Sequence, residues 1–154
     1  MISKSYRFCF FVLLPIVIGG LIYILFRSDK LLMFHWFKTI GLGQPVKFLR
    51  NIDSIKNNII PNWIKYSLPD GLWVFSYVSL MLLIWDNKIS KPTGVWIFIV
   101  PVIAIMSEFG QLFKLVPGTF DLIDLAVYLF STLLPIVLFK YIFIELKTIP
   151  YDNI

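Results

Sequence analysis

The sequence predicts an all-α, polytopic membrane protein with four transmembrane helices and an interfacial amphipathic segment between the first and second. Hydrophobic residues make up 58% of the 154 residues, charged residues only 15%, and the mean hydropathy is +0.83. Soluble domains are nearer ~45–50% apolar and ~25% charged. The apolar residues fall into four long runs. Residues 1–154 are therefore predicted to form a single transmembrane domain with spans at about 8–26, 68–85, 94–113 and 121–139.

The charge balance indicates a lipid surface as the partner. Fourteen Lys and Arg residues against nine Asp and Glu give a net charge of +5, with no basic block that would grip a nucleic acid. Membrane lipids are the predicted partners, and nucleic acid is not expected. The single cysteine, Cys9, cannot form an intramolecular disulfide, and the single histidine, His35, cannot build a histidine-rich metal site. We predict neither a metal nor a cofactor.

The first apolar run, residues 8–26, contains no charged residue and nearly matches a ~30 Å hydrocarbon layer at ~1.5 Å per residue. A secretory signal peptide is the competing interpretation, because Lys4 and Arg7 precede the run. Such a peptide usually has a shorter apolar core, followed by a small-residue cleavage site that is missing here. Pro15 and the pair Gly19-Gly20 predict a kink or a close helix approach.

The segment from Arg27 to Leu68 alternates cationic and aromatic side chains, as expected at a membrane surface. An amphipathic helix is predicted to begin at Pro45 and end at Pro61. Its apolar face would contain four residues at helical spacing: Phe48, Ile52, Ile55 and Ile59. Lipid anchoring is the favoured role of this face, and binding of a partner is the alternative.

The remaining three spans are predicted to form antiparallel neighbours. Trp73 and Trp85 bracket the second span like aromatic-belt residues, and Asp70 lies at its entrance. A short polar turn leads into the third span, and a tight turn joins the third to the fourth. Four spans place both termini on one side. The positive-inside rule leaves open which side, since six basic residues lie on the terminal side and eight on the other.

Five polar residues form a candidate pocket around the last helical hairpin. Glu108 and Gln111 are spaced i, i+3 near the end of the third span, and so are Asp121 and Asp124 at the start of the fourth; Tyr128 follows Asp124 at i+4. The two helix faces can meet at a common depth because the turn between them is tight. An unpaired Asp at the centre of a membrane helix costs at least ~2.5–3.5 kcal/mol. We therefore expect these groups to lie together.

Three roles for this pocket stay open from the residues alone. In a structural role, Asp121 caps the fourth helix, Asp124 interacts favourably with the helix dipole, and Lys114 neutralises one of these carboxylates. Glu108 and Gln111 then hold two helices together by hydrogen bonds. The second is a binding or transport pocket. The third is a catalytic carboxylate pair, but the sequence has no motif of a named reaction, so catalytic residues stay unassigned.

The same hairpin resembles the VanZ-like family of small bacterial integral membrane proteins. The resemblance rests on Ser107-Glu108-Phe109-Gly110-Gln111 and, after the turn, on Pro117-Gly118-Thr119-Phe120-Asp121-Leu122-Ile123-Asp124. The family pattern is Glu-x-x-Gln, a Gly-containing loop and Asp-x-x-Asp. The chain departs from it at Thr119, where the family usually has Arg, and at Tyr128 and Ser131, where it tends to have Asn and Gly. The change to Thr119 removes the guanidinium that would pair with the acids, and Lys114 offers only a point charge in its place.

The resemblance implies that the protein lies in the bacterial cytoplasmic membrane with its termini inside. It also implies an envelope protein linked to low-level resistance to glycopeptides (teicoplanin). The leading hypothesis is an envelope protein whose pocket binds a lipid-linked envelope precursor or a cationic ligand. One alternative is a small membrane-embedded enzyme acting on a lipid or lipid-linked precursor, with Glu108 as acid and Asp121 or Asp124 as base. Another is a structural assembly subunit without a ligand.

Overall fold

The computed structural model describes residues 4–51 and 60–145, and these residues form helices and turns without a β-strand. Within these residues one long helix comes first, three short helices follow it, and three long helices come last. We number the described helices in order: α1 Lys4–Phe26, α2 Leu32–Thr39, α3 Gly43–Arg50, α4 Asn62–Tyr66, α5 Leu68–Ile84, α6 Lys91–Leu112 and α7 Leu122–Glu145.

Three of these helices are long and apolar enough to cross a membrane: α1, α6 and residues 122–141 of α7. This confirms the helical membrane class that the composition predicts. The predicted second span corresponds to α5, which has 17 residues and so a length of about 25 Å. It is the most enclosed of the long helices, because Val74, Val78 and Leu82 on it are buried in the core. A helix surrounded by other helices presents less surface to lipid.

The long helices run antiparallel, so the bundle has two distinct ends. Lys4 at the start of α1 pairs with Asp86 after the end of α5, with 2.6 Å between Nζ and Oδ1. Arg27, just after the end of α1, pairs with Asp70 at the start of α5. We call these the terminal end and the carboxylate end. Helix α6 runs towards the carboxylate end and α7 away from it, since Glu108 and Asp121 meet there.

Close packing of α1 against α5 confirms the predicted role of the glycine pair for one of its members. Gly19 is buried, and a Cβ added there would lie only 2.9 Å from Nε1 of Trp73, whereas one at Gly20 would meet nothing within 4 Å. The Ser76 hydroxyl of α5 donates a hydrogen bond to the Val12 carbonyl at 2.7 Å. Val12 lies in a π-helical turn, Cys9–Leu13, directly before the predicted kink position Pro15.

The described residues between α1 and α5 form α2, α3 and α4 at the carboxylate end. The sequence predicts one amphipathic helix from Pro45 to Pro61. In the structure α3 begins at Gly43 and ends at Arg50, and the other three residues of the predicted apolar face, Ile52, Ile55 and Ile59, lie outside the described residues. The Arg50 guanidinium fixes α3 to the end of α1, because it donates to the carbonyls of Ile24 and Arg27, both at 2.9 Å.

Candidate functional site

Glu108 is the most buried of the predicted pocket residues, with 3% of its surface exposed. It lies in the last turns of α6, and its Oε2 accepts a hydrogen bond from the backbone N–H of Asp121 at 3.3 Å. A buried carboxylate needs such a donor, because an unpaired buried charge is costly. This bond connects α6 to the start of α7 across the turn. Glu108 and Asp121 are therefore neighbours, as the spacing predicts.

Asp121 is the N-cap of α7. Its Oδ1 accepts the N–H of Ile123 at 2.8 Å, and the helix begins at the next residue, Leu122. The capping role predicted from the sequence is confirmed. Asp124 occupies the third helical position, as predicted, where a negative charge interacts favourably with the helix dipole. Two of the predicted pocket residues, Asp121 and Asp124, thus stabilise the start of α7.

Asp124 and Tyr128 lie one turn apart on the face of α7 that meets α5 and α6. Glu108 interacts electrostatically with Asp124, Asp121 and Asp70, and Tyr128 with Asp70, Asp124 and Glu108. Oδ1 of Asp124 is buried without a hydrogen-bond partner in the described part of the chain. Four of the five predicted pocket residues therefore gather at one end of the bundle.

Gln111 differs from the other four predicted residues. Its side chain packs over the α6–α7 turn, since a Cβ added at Gly118 would lie 2.7 Å from Cδ of Gln111. Gly118 has φ of 138°, a conformation that favours glycine, and the turn can therefore lie this close to the amide. Of the two residues predicted to clamp neighbouring helices, Glu108 connects α6 to the start of α7 through the N–H of Asp121. Within the described residues no hydrogen bond joins Gln111 to Glu108.

The guanidinium in the site comes from Arg27, which the sequence argument missed. Arg27 lies 3.2 Å from Asp70, measured from Nη2 to Oδ2, and donates to the Tyr66 carbonyl at 3.0 Å. Its guanidinium carbon lies 5.2 Å from the ring centre of Tyr23 and 5.3 Å from that of Tyr66. Both partners of the ion pair are mostly buried, with 29% and 28% of their side chains exposed.

Lys114, which the sequence offered as the neutralising group, forms no ion pair with a described carboxylate. It lies in the turn after α6 with an exposed side chain and a positive φ of 57°. Two sequence features mark these residues as candidates for the site. Arg27 directly follows an uncharged span, and Asp70 lies at the entrance of another. Pairing them required the antiparallel packing of α1 against α5, which no local pattern contains.

We define the carboxylate cluster as Asp70, Glu108, Asp121 and Asp124, with Arg27 and Tyr128 beside it. Arg27 supplies one positive charge beside four acidic groups, of which Glu108 interacts with each of the other three. Within residues 4–51 and 60–145, no three His, Cys, Asp or Glu side chains lie close enough to hold a metal ion. The cluster thus concentrates negative charge in a space wider than a metal site.

The fold and cluster define a helical membrane protein with an acidic site at one end of its bundle. The chain matches no protein-family model, no curated protein and no solved structure. Membership of the VanZ-like family therefore stays a prediction from the hairpin motif.

Proposed function

We propose that this protein is a four-span membrane protein whose carboxylate cluster binds an organic cation, namely an ammonium group on a small molecule or on a lipid-linked one. The observation that carries the proposal is the buried Glu108, which interacts with three further acidic residues. Acidic groups in a membrane helix are costly unless they are paired or face a polar cavity. A bound cation would supply the missing charge.

The charge balance of the cluster supports a cationic ligand. Arg27 is committed to Asp70 and to the Tyr66 carbonyl. Glu108 and Asp121 receive backbone N–H groups, which carry only partial charge. Asp124 has a buried oxygen with no hydrogen-bond donor among the described residues, so it is the acceptor a ligand would meet.

The spacing of the acidic groups favours an ammonium over a bare metal ion. A divalent metal needs several oxygen ligands within about 2–2.6 Å, and the described carboxylates do not converge that closely. An ammonium group donates hydrogen bonds in three directions and tolerates longer separations. Nε of Arg27 is a second buried polar atom without a described partner, and it would donate to a hydroxyl or phosphate oxygen of a ligand.

In the proposed four-span arrangement, in which α5 crosses as well, the start of α1 and the end of α7 would lie at one bilayer face and the cluster at the opposite one. The VanZ-like resemblance would make that face the outer side of a bacterial cytoplasmic membrane, where a lipid-linked envelope precursor could carry the ammonium group. Among the described residues no hydrogen bond joins two carboxylates, so binding, rather than acid–base chemistry on a shared proton, is the function we favour.

Ethanolamine binding by the detergent-purified protein tests the proposal, with glycerol as the uncharged comparison at matched ionic strength. Isothermal titration should show saturable binding of ethanolamine and none of glycerol. Glu108→Gln and Asp124→Asn should each weaken binding about tenfold, which corresponds to ~1.4 kcal/mol. Asp29→Asn is the matched control, because Asp29 is an exposed carboxylate at the same end of the bundle.

Three outcomes would contradict the proposal. Ethanolamine could fail to bind, or Asp29→Asn could weaken binding as much as Glu108→Gln does. In the third, neither cluster variant accumulates in the membrane, which would make the acidic groups helix clamps. Thermal unfolding with and without ethanolamine gives a second measurement, since a ligand at ten times its Kd stabilises the folded state by about 1.4 kcal/mol.

A further inference from the structure

An apolar groove of about 600 Å³ runs along the outer face of the bundle near the carboxylate end. Its floor is a stripe of α5 with residues at helical spacing, Leu68, Leu72 and Phe75. One wall is α7 from Ala126 to Leu134, and the other contains Pro15 of α1. Trp63 of α4 stands at its upper end. The volume lies within the range of about 300–1,000 Å³ that is typical of ligand sites.

The groove and the carboxylate cluster lie on opposite faces of α5. Asp70 follows Leu68 by two residues, which is about 200° around a helix of 3.6 residues per turn. Between the two sites α5 and α7 pack tightly, because a Cβ added at Gly71 would overlap Val127 and lie 2.9 Å from Oγ of Ser131. The groove is therefore a separate site, which the proposed function does not use.

Phe75, the last α5 residue that lines the groove, lies beside a group of packed aromatic rings. The ring of Phe11 lies 6.4 Å from that of Phe75 on the floor and 5.4 Å from that of Phe139 on α7. The stripe from Leu68 to Phe75 spans about 10 Å, and the wall from Ala126 to Leu134 about 12 Å, at about 1.5 Å per residue. The groove thus begins at the level of Trp63 and ends partway through the bilayer.

We propose that this groove binds the acyl chains of one anionic phospholipid. Its α7 wall belongs to a helix long and apolar enough to cross a membrane, so lipid is what this face meets. Apart from the Ser131 hydroxyl and the Trp63 indole N–H, the side chains that line the groove are apolar, which suits acyl chains.

Charge at the upper end selects the headgroup. Between α1 and α5, residues 27–51 and 60–67 contain six Lys and Arg residues against one Asp. Lys65, on the same short helix as the groove residue Trp63, is half-buried, and its Nζ lies 5.8 Å from the ring centre of Phe26 at the end of α1. It forms no ion pair with a described carboxylate, and is thus available to a phosphate. One lysine near the membrane surface contributes about 1 kcal/mol to the binding of an anionic lipid, about fivefold in affinity.

Quenching of Trp63 by brominated phospholipids in vesicles tests this proposal. The other four tryptophans are replaced by phenylalanine, and the lipids are phosphatidylglycerol or phosphatidylcholine brominated near the headgroup end of the chain. Phosphatidylglycerol should reach half-maximal quenching at about a fivefold lower mole fraction. Lys65→Gln should abolish that preference while leaving quenching by both lipids.

Ala126→Phe fills the groove from α7 and should reduce quenching to the level of bulk lipid contact. Val137→Phe is the matched control, because Val137 is exposed on the same helix outside the groove. In this variant Trp63 should be quenched as much as in the parent protein. Equal quenching by the two lipids in the parent protein, or no effect of Ala126→Phe, would overturn the proposal. Native mass spectrometry of the tryptophan-containing protein gives a second readout: one phosphatidylglycerol should be retained, and lost in Ala126→Phe. Ethanolamine binding should persist in Ala126→Phe, so each proposal can fail without the other.

Discussion

Replacing Arg27 with Met should destabilise the protein by about 3 kcal/mol. The hydrogen bond of the guanidinium to the Tyr66 carbonyl, at 3.0 Å, is charge-assisted and contributes about 1.5–3 kcal/mol. The pair with Asp70 is 28–29% exposed, so its contribution lies between that of a surface pair and that of a buried one, at about 1–2 kcal/mol. Met keeps the apolar stem against Tyr23 and Tyr66, so the loss is that of the charge and its donors.

A double-mutant cycle with Asp70→Asn isolates the ion pair. Asp70→Asn alone should cost about 1 kcal/mol, because the amide still accepts from Arg27. The loss of stability in the double variant should be about 1–2 kcal/mol smaller than the sum of the two single losses, because Arg27→Met alone leaves Asp70 with an uncompensated charge. The measurement is reversible unfolding in mixed micelles, followed by tryptophan fluorescence.

Lys65→Met is the matched control for loss of a cation at the same end. Lys65 lies over the ring of Phe26 without a described ion pair, so its replacement should cost less than about 1 kcal/mol. Losses for Arg27→Met and Asp70→Asn that add to within about 0.5 kcal/mol would refute the reasoning, since independent sites behave in that way. A loss for Lys65→Met as large as that for Arg27→Met would do the same.

Three further stability predictions use the same unfolding measurement. Gly71→Ala should destabilise the protein by about 1–2 kcal/mol, because crowding against Val127 outweighs the gain of about 1 kcal/mol in helix propensity. Gly20→Ala, with open space around the new Cβ, should stabilise the protein. Equal effects of the two substitutions would count against the role of packing at Gly71. Asp121→Ala should cost about 1 kcal/mol through loss of the helix cap, whereas Asp121→Asn should be nearly neutral, and a large loss for both would point to a different role. Ser76→Ala removes the hydrogen bond between α1 and α5 and should cost about 0.5–1.5 kcal/mol; no change would mean that the bond is not formed in the membrane-like micelle.

Much of the site followed from spacing within one hairpin. Glu108, Asp121, Asp124 and Tyr128 gather because they lie on two helices joined by a tight turn, and the sequence shows both the spacing and the turn. The helix cap at Asp121 is equally local. The partner of Asp70 was not predictable in this way, because Arg27 is 43 residues earlier in the chain.

The sequence by itself determined that the chain is helical and membrane-embedded, since hydropathy and helix length depend on composition along the chain alone. It also determined which acidic residues share a helix face. Only the tertiary structure decided that the guanidinium of Arg27 pairs with Asp70 and that α5 is the enclosed helix. It also decided that an apolar groove lies on the face of α5 opposite the carboxylate cluster. These features depend on how distant helices pack, where small residues such as Gly19 and Gly71 set the distance between helix axes.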